Sequence, residues 1–189
     1  YNVLAYCTAT GSVTQQDNFR TSSALDVVSG TWSAGNNTLR SSHITVATNG
    51  ATGVLTTGSG LTTADSLFEI NGGTTTIGSG GLTTTDVSIQ TNLGAAATLN
   101  MGSGTWTITG TGTIWGVTIT AALTLNADTS TITCTDTSSS TKTFDGEGKT
   151  YYNLSVSGLA AAGTFTVTGS NSFNNVTFAP LSNIRLTAS

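Results

Sequence analysis

Gly58-Ser-Gly-Leu-Thr-Thr-Ala-Asp65 is followed by a near copy of itself, Gly80-Gly-Leu-Thr-Thr-Thr-Asp86. Leu61 and Leu82 are 21 residues apart, and so are Asp65 and Asp86. Gly-Ser-Gly recurs at 58–60, 78–80 and 102–104, and Ser29-Gly-Thr-Trp32 reappears as Ser103-Gly-Thr-Trp106. Self-similarity at about 20–25 residues is the mark of stacked coils, each burying its inner face on its neighbours.

Outward from that pair, from about Ile44 onward, apolar and hydroxyl residues alternate in bursts. Thr105-Trp-Thr-Ile-Thr109, Val117-Thr-Ile119, Leu123-Thr-Leu125, Ile132-Thr-Cys134 and Phe165-Thr-Val167 are examples. A period of two places one strand face inward and the other in water. No window holds apolar residues at helical spacing for long, so the chain reads as all-β. Inward positions fall at Ile77, Val87, Leu99, Ile108, Val117, Ile132, Phe144, Leu154, Phe165, Val176 and Ile184. Strands at such spacing suit a β-sandwich or a solenoid. The longer repeat favours a parallel β-solenoid with coils of about 20–24 residues, and a β-sandwich is the alternative. Residues 41–189 read as the repeats. Residues 1–40 fit them poorly, because Gln15-Gln-Asp-Asn-Phe-Arg20 breaks the pattern, and are expected to form an irregular cap or docking segment.

Composition agrees with stacked coils. Only 7% of residues are charged, against about 25% in an ordinary soluble domain. Hydroxyls take their place: Thr occurs 42 times, with 23 Gly to make turns. Stacking puts like residues about 4.8 Å apart, where columns of charge repel and columns of Thr do not. The net charge is −4, and the five cations (Arg20, Arg40, Lys142, Lys149, Arg185) are scattered. With no basic stripe to neutralise phosphates, nucleic acid is not an expected partner. Apolar runs of four or five residues are too short to insert into a membrane. The chain begins at Tyr1 with no signal-like segment, which suggests a processed chain or a piece of a longer one. Cys7 and Cys134 lie 127 residues apart and read as buried free thiols several coils from each other.

The run Thr141-Lys-Thr-Phe-Asp-Gly-Glu-Gly-Lys-Thr-Tyr-Tyr-Asn-Leu154, with Thr166-Val-Thr-Gly-Ser-Asn-Ser-Phe-Asn-Asn-Val-Thr177, carries a resemblance. From about Ser103 to Phe178, some 75 of 189 residues, the chain is similar to Thr/Gly-rich repeat proteins of bacteriophage virions and bacterial surfaces. The resemblance implies a β-solenoid with a structural role and brings no catalytic residues. Where the third glycine of the Gly-rich turn is expected stands Glu147.

The residues that could carry chemistry each have a plainer reading. Gly148-Lys-Thr150 looks like the end of a phosphate loop, but Thr143 stands where its first glycine belongs and a strand follows instead of a helix. His43 is the only histidine, and no Gly-x-Ser-x-Gly elbow accompanies it, so it reads as a turn residue. Asp65 and Asp86, at equal offsets in adjacent coils, would stand about 5 Å apart, the separation a retaining glycosidase uses. Both follow a Leu-Thr-Thr turn entry, however, and Asp favours turns. Asp145 and Glu147 flank Gly146, but the glycine–aspartate calcium repeat is missing. The Thr-x-Thr pairs at 105–109, 111–113, 118–120, 131–137 and 164–168 fall at no constant offset, which argues against a flat, regular hydroxyl face of the kind that binds ice. Trp32 and Trp106 read inward. Trp115 and Tyr151 are the aromatics expected to face out as surface-binding residues.

The expectation is therefore a structural, non-enzymatic subunit without cofactors. It would belong to a phage virion, as a tail or capsid fibre or decoration, or to another extracellular fibre. The alternative is a carbohydrate- or surface-binding adhesin segment that holds a glycan on Trp115 and Tyr151. The final strand, Ile184-Arg-Leu-Thr187, shows no helix, charge cluster or Pro to blunt its edge. Ile184 and Leu186 are thus candidate assembly contacts, covered by a second copy in a homo-oligomer or filament, by another virion protein, or by further chain.

Overall fold

The computed structural model describes residues 5–7, 11–48, 51–91, 95–118, 122–157, 159–160, 162–179 and 183–187. Every regular element among them is a β-strand, and every strand pair is parallel. The strands stack as a β-solenoid of about seven turns. A parallel pair needs a crossover between its strands, and here each crossover is the rest of the coil.

Three faces wind the chain. The first stacks Phe19–Arg20, the leading halves of Leu39–Val46, Thr62–Ile70 and Leu82–Gln90, then Thr105–Ile108, Thr131–Cys134, Thr150–Val156 and Ser172–Phe178. The second stacks Ala5–Cys7, Ala24–Val27, the trailing halves of the same three long strands, then Gly112–Thr118, Lys142–Asp145, Thr164–Thr168 and Asn183–Thr187. These two faces form one fourteen-stranded sheet, folded along an edge where the long strands change register between Ser41 and His43 and between Thr84 and Asp86. An extra residue at such a bulge bends the strand and re-aims the side chains that follow. The third face is a separate six-stranded sheet: Ser12–Thr14, Thr31–Gly35, Val54–Thr57, Gly73–Thr76, Ala97–Asn100 and Leu123–Asn126. Its strands extend the repeat into residues 12–40, which the sequence sets apart as irregular. Within that segment the Gln15–Asn18 loop is tied to the next coil, with Gln15 Nε2 donating to Thr38 O and Thr38 N donating to Asn18 Oδ1.

Inward residues form continuous columns. On the first face Phe19, Leu39, Thr62, Leu82, Trp106, Ile132, Leu154 and Val176 lie over one another. On the second, Leu25, Ile44, Phe68, Val87, Trp115, Phe144 and Val167 do the same. Of the inward positions read from sequence, Ile77, Val87, Leu99, Ile108, Val117, Ile132, Phe144, Leu154 and Phe165 are buried. Val176 and Ile184, on the last two strands, are 44% and 43% exposed.

The Gly-Ser-Gly motifs mark the corner between the third and first faces. There the backbones of successive coils touch, and a Cβ on Gly80 would be driven into the carbonyl oxygen of Gly60. Only glycine allows that approach.

The third face ends at Asn126, and from Lys142 on the coils have two faces joined by a tight turn. At Gly146–Lys149 the amide of Lys149 donates to Gly146 O, with Glu147 and Gly148 both at positive φ, as a two-residue hairpin-type turn demands. An aromatic cluster fills the space beside this change. Trp115 stacks on Phe144 at 5.5 Å, meets Tyr151 edge-on at 5.7 Å and leans on Trp106 at 5.6 Å, and Phe173 stacks on Tyr151 at 5.6 Å.

Candidate functional site

The repeat alignment read from sequence is one residue out, and that slip undoes the carboxylate pair. Leu82 lies opposite Thr62, not Leu61, so Thr62 is buried and Leu61 is 44% exposed. Shifting a strand by one residue sends every side chain to the other face. Asp86 then pairs in register with Leu67, while Asp65 lies beside Thr85, whose Oγ1 donates to Asp65 O. Asp65 is bound instead to Arg40, which donates through Nε at 3.0 and 3.2 Å and through Nη2 at 3.0 Å. Asp86 Oδ1 is buried without a hydrogen-bond partner, and burial pushes its carboxyl above the ordinary value. The two carboxylates are thus out of register and differently held, Asp65 by an arginine and Asp86 by partial burial.

The other candidates are likewise taken up by the fold. Lys149 of the Gly-Lys-Thr stretch sends its ammonium to Leu123 O at 3.2 Å. It caps the last strand of the third face where the next coil would have supplied an amide. His43 Nε2 lies 3.6 Å from Glu69 Oε2 on the second face. Among the described residues no three of His, Cys, Asp and Glu come together where they could hold a metal ion.

Trp115 and Tyr151, expected to face outward, are 0% and 1% exposed. Tyr151 follows the tight turn that stands where a third face is missing, and Trp115, in the last coil that keeps that face, points inward and packs on it. The indole Nε1 of Trp115 donates to the Tyr151 hydroxyl at 3.2 Å, and that hydroxyl donates to Gly146 O at 3.2 Å. Burial holds the Tyr151 phenol well above its ordinary value. Neither ring can stack on a sugar. Trp32 and Trp106 are inward as read, 6% and 0% exposed, although their matching Ser-Gly-Thr-Trp motifs lie on different faces.

Two features gave no warning in the sequence. Lys142 is fully buried, and its ammonium binds the Asp136 carboxylate at 2.7 Å together with the carbonyls of Ser138 and Ser140. It thereby clamps the loop between Cys134 and Phe144. The hydrogen bond from Lys142 holds the Asp136 carboxyl below its usual value. Cys134, buried and free, has its thiol pushed up to about 12 by burial, against an opposing pull from Lys142. The side chain of Cys7 lies outside the described residues, as does that of Leu186.

The second feature is how charge is distributed over the outer faces. On the second face Asp26, Thr45, Glu69, Ser88, Gly116, Asp145 and Thr168 form one outward column, with acids never on successive coils. The first face carries Arg20 and Arg40 at its start. Beyond them its central outward column is uncharged: Thr63, Thr83, Thr107, Thr133, Ser155 and Thr177. Two of the Thr-x-Thr stretches that fall at uneven offsets in sequence, 105–109 and 131–135, are therefore stacked in register on this face, while Thr113 and Thr164–Thr168 lie on the second. Loops of different length absorb the difference. Compared with protein-family models, with curated proteins and with solved structures, the chain matches none.

Proposed function

We propose that this chain is a non-enzymatic structural segment: a stiff stack of coils that builds a fibre or surface decoration of a phage virion or another extracellular assembly. The observation that carries this reading is the unbroken parallel ladder from Ala5–Cys7 to Asn183–Thr187, in which every coil is bonded to the next. Such a stack resists bending and shear, because displacing one coil breaks a row of backbone hydrogen bonds together. Seven turns at about 4.8 Å rise only about 34 Å, so a fibre of useful length needs more coils than this chain supplies. Val176 and Ile184, exposed on the last described strands, are the apolar surface that an added coil would cover. In this reading that coil belongs to a second copy, to another virion protein or to further chain.

Negative-stain microscopy of the purified protein tests the reading. Elongated particles or fibres, lost on Ile184→Asp, are expected. A field of compact single particles at every concentration would overturn it.

A further inference from the structure

The first face carries a lattice as well as a column. Thr105, Thr107 and Thr109 lie over Thr131, Thr133 and Thr135, these over Asn153, Ser155 and Ser157, and the last coil adds Asn175 and Thr177. All eleven are Thr, Ser or Asn, and all are at least partly exposed. Successive coils repeat at about 4.8 Å, and residues two apart along a strand repeat at about 6.6 Å. The result is a two-dimensional grid of hydrogen-bonding groups.

The grid is also held still. Threonine is β-branched and has few side-chain rotamers to choose from. Thr109 Oγ1 donates to Thr84 O at 3.2 Å, and Thr135 Oγ1 donates to Ile108 O at 3.3 Å, the same bond repeated one coil later. Asn153 Nδ2 donates to Thr131 Oγ1, and Asn175 Nδ2 to Asn153 Oδ1. Side-chain ladders of this kind are among the devices that limit the twist of a sheet. Groups fixed before a partner arrives lose little entropy on binding it.

We infer that this face binds the surface of ice. Three properties select that occupant. The grid carries no charge, while the second face carries Asp26, His43, Glu69 and Asp145, so its complement is a neutral surface. Its repeats in both directions lie near those of water oxygens on the faces of hexagonal ice, so one match recurs coil after coil. The one aromatic ring beside the eleven, the partly exposed Tyr152, sits next to Asn153 at the edge of the grid and leaves its centre to hydroxyls. This inference does not depend on the structural role proposed above, since a solenoid could bind ice whether or not it builds a fibre.

Nanolitre osmometry with microscopy of single ice crystals tests it. The wild-type protein is expected to open a gap between melting and freezing points and to facet the crystal. Thr133→Lys, at the centre of the grid, should cut that gap about tenfold, since a lost hydrogen bond weakens a contact by up to about that factor. Thr168→Lys, on the second face beside Asp145, should leave it unchanged. Circular dichroism checks that both variants fold; if Thr133→Lys does not, Thr107→Tyr replaces it. Absence of any gap or faceting by folded wild-type protein overturns the inference, as does a gap equal in all variants. So does a dimer in sedimentation that Thr133→Lys dissociates, or retention on cellulose or chitin that Thr133→Lys abolishes. Those results would assign the face to a second copy or to a polysaccharide.

Discussion

Through Asn126 each full coil has three walls, and from Lys142 on it has two. The three-walled part packs in the plain manner of a solenoid, with aliphatic columns such as Leu25-Ile44 and Val46-Ile70-Ile89. It tolerates misfits inside those columns. Thr62 and Thr75 are each 0% exposed, and their hydroxyls have no partner. The two-walled part cannot close its interior with aliphatic side chains alone, because one side has no sheet. Phe144, Tyr151 and Phe173 close it against Trp115 of the last three-walled coil, and the polar atoms of these rings are paired: Trp115 to Tyr151, and Tyr151 to Gly146. Lys142 holds the neighbouring loop and Lys149 caps the exposed edge. The lesson is that a solenoid can drop a wall if a cluster of rings and two lysine bonds take over what the wall did.

The largest test of this contrast is Trp115→Ala. Loss of a buried indole costs about 3–5 kcal/mol, and here it should also open the corner that the third face leaves. Urea denaturation should show a cost well above that of Val87→Ala, its neighbour one coil up. Equal costs would mean the change of wall is no special point.

Next in size is Lys142→Ala, expected to cost about 2 kcal/mol, below the usual figure for a broken buried pair because Asp136 is partly exposed. The folded Asp136 carboxyl is held low, so its contribution is present above the ordinary Asp value and is lost as pH falls through the folded one. The gap between wild type and variant should therefore narrow on acidification. A gap independent of pH would remove the ion pair from the account.

In the three-walled part the expected changes are gains. Thr75→Val replaces an unpartnered hydroxyl with a methyl of the same shape between Leu55 and Leu99, and should stabilise by about 1 kcal/mol in the same assay. The smallest effect is expected from Asp86→Asn. Burial raises the Asp86 carboxyl, so its charged form is a burden at neutral pH that shrinks as pH falls through the folded value and is gone below the ordinary Asp value. The variant should melt slightly higher than wild type at pH 7 and equally at low pH. A variant less stable at neutral pH would mean that the carboxylate has a partner after all.

The all-β class, the solenoid and the inward residues from Ile77 to Phe165 were legible because alternation and repeat length depend on local sequence. Register was not. Leu61 and Leu82 align by letter, yet Leu61 faces water, since a bulge and a one-residue slip cost nothing that the pattern records. The inward turn of Trp115 and Tyr151 was hidden for a related reason. An aromatic in an alternating strand faces in or out according to which walls exist around it, and the loss of a wall is a property of the whole coil. The hydroxyl grid was obscured by loop lengths: Thr105 to Thr131 is 26 residues and Thr131 to Asn153 is 22, but the strands between the loops are in line.

One distance tests that strict stacking across uneven loops. Nitroxides at Thr63 and Thr177, in a Cys7→Ser, Cys134→Ala background, mark the same outward column five coils apart. Pulsed electron spin resonance should give a single narrow distribution centred near about 24 Å, five rises of about 4.8 Å. A broad distribution, or a centre displaced by two coils or more, would contradict a stack held in register from the three-walled part into the two-walled one.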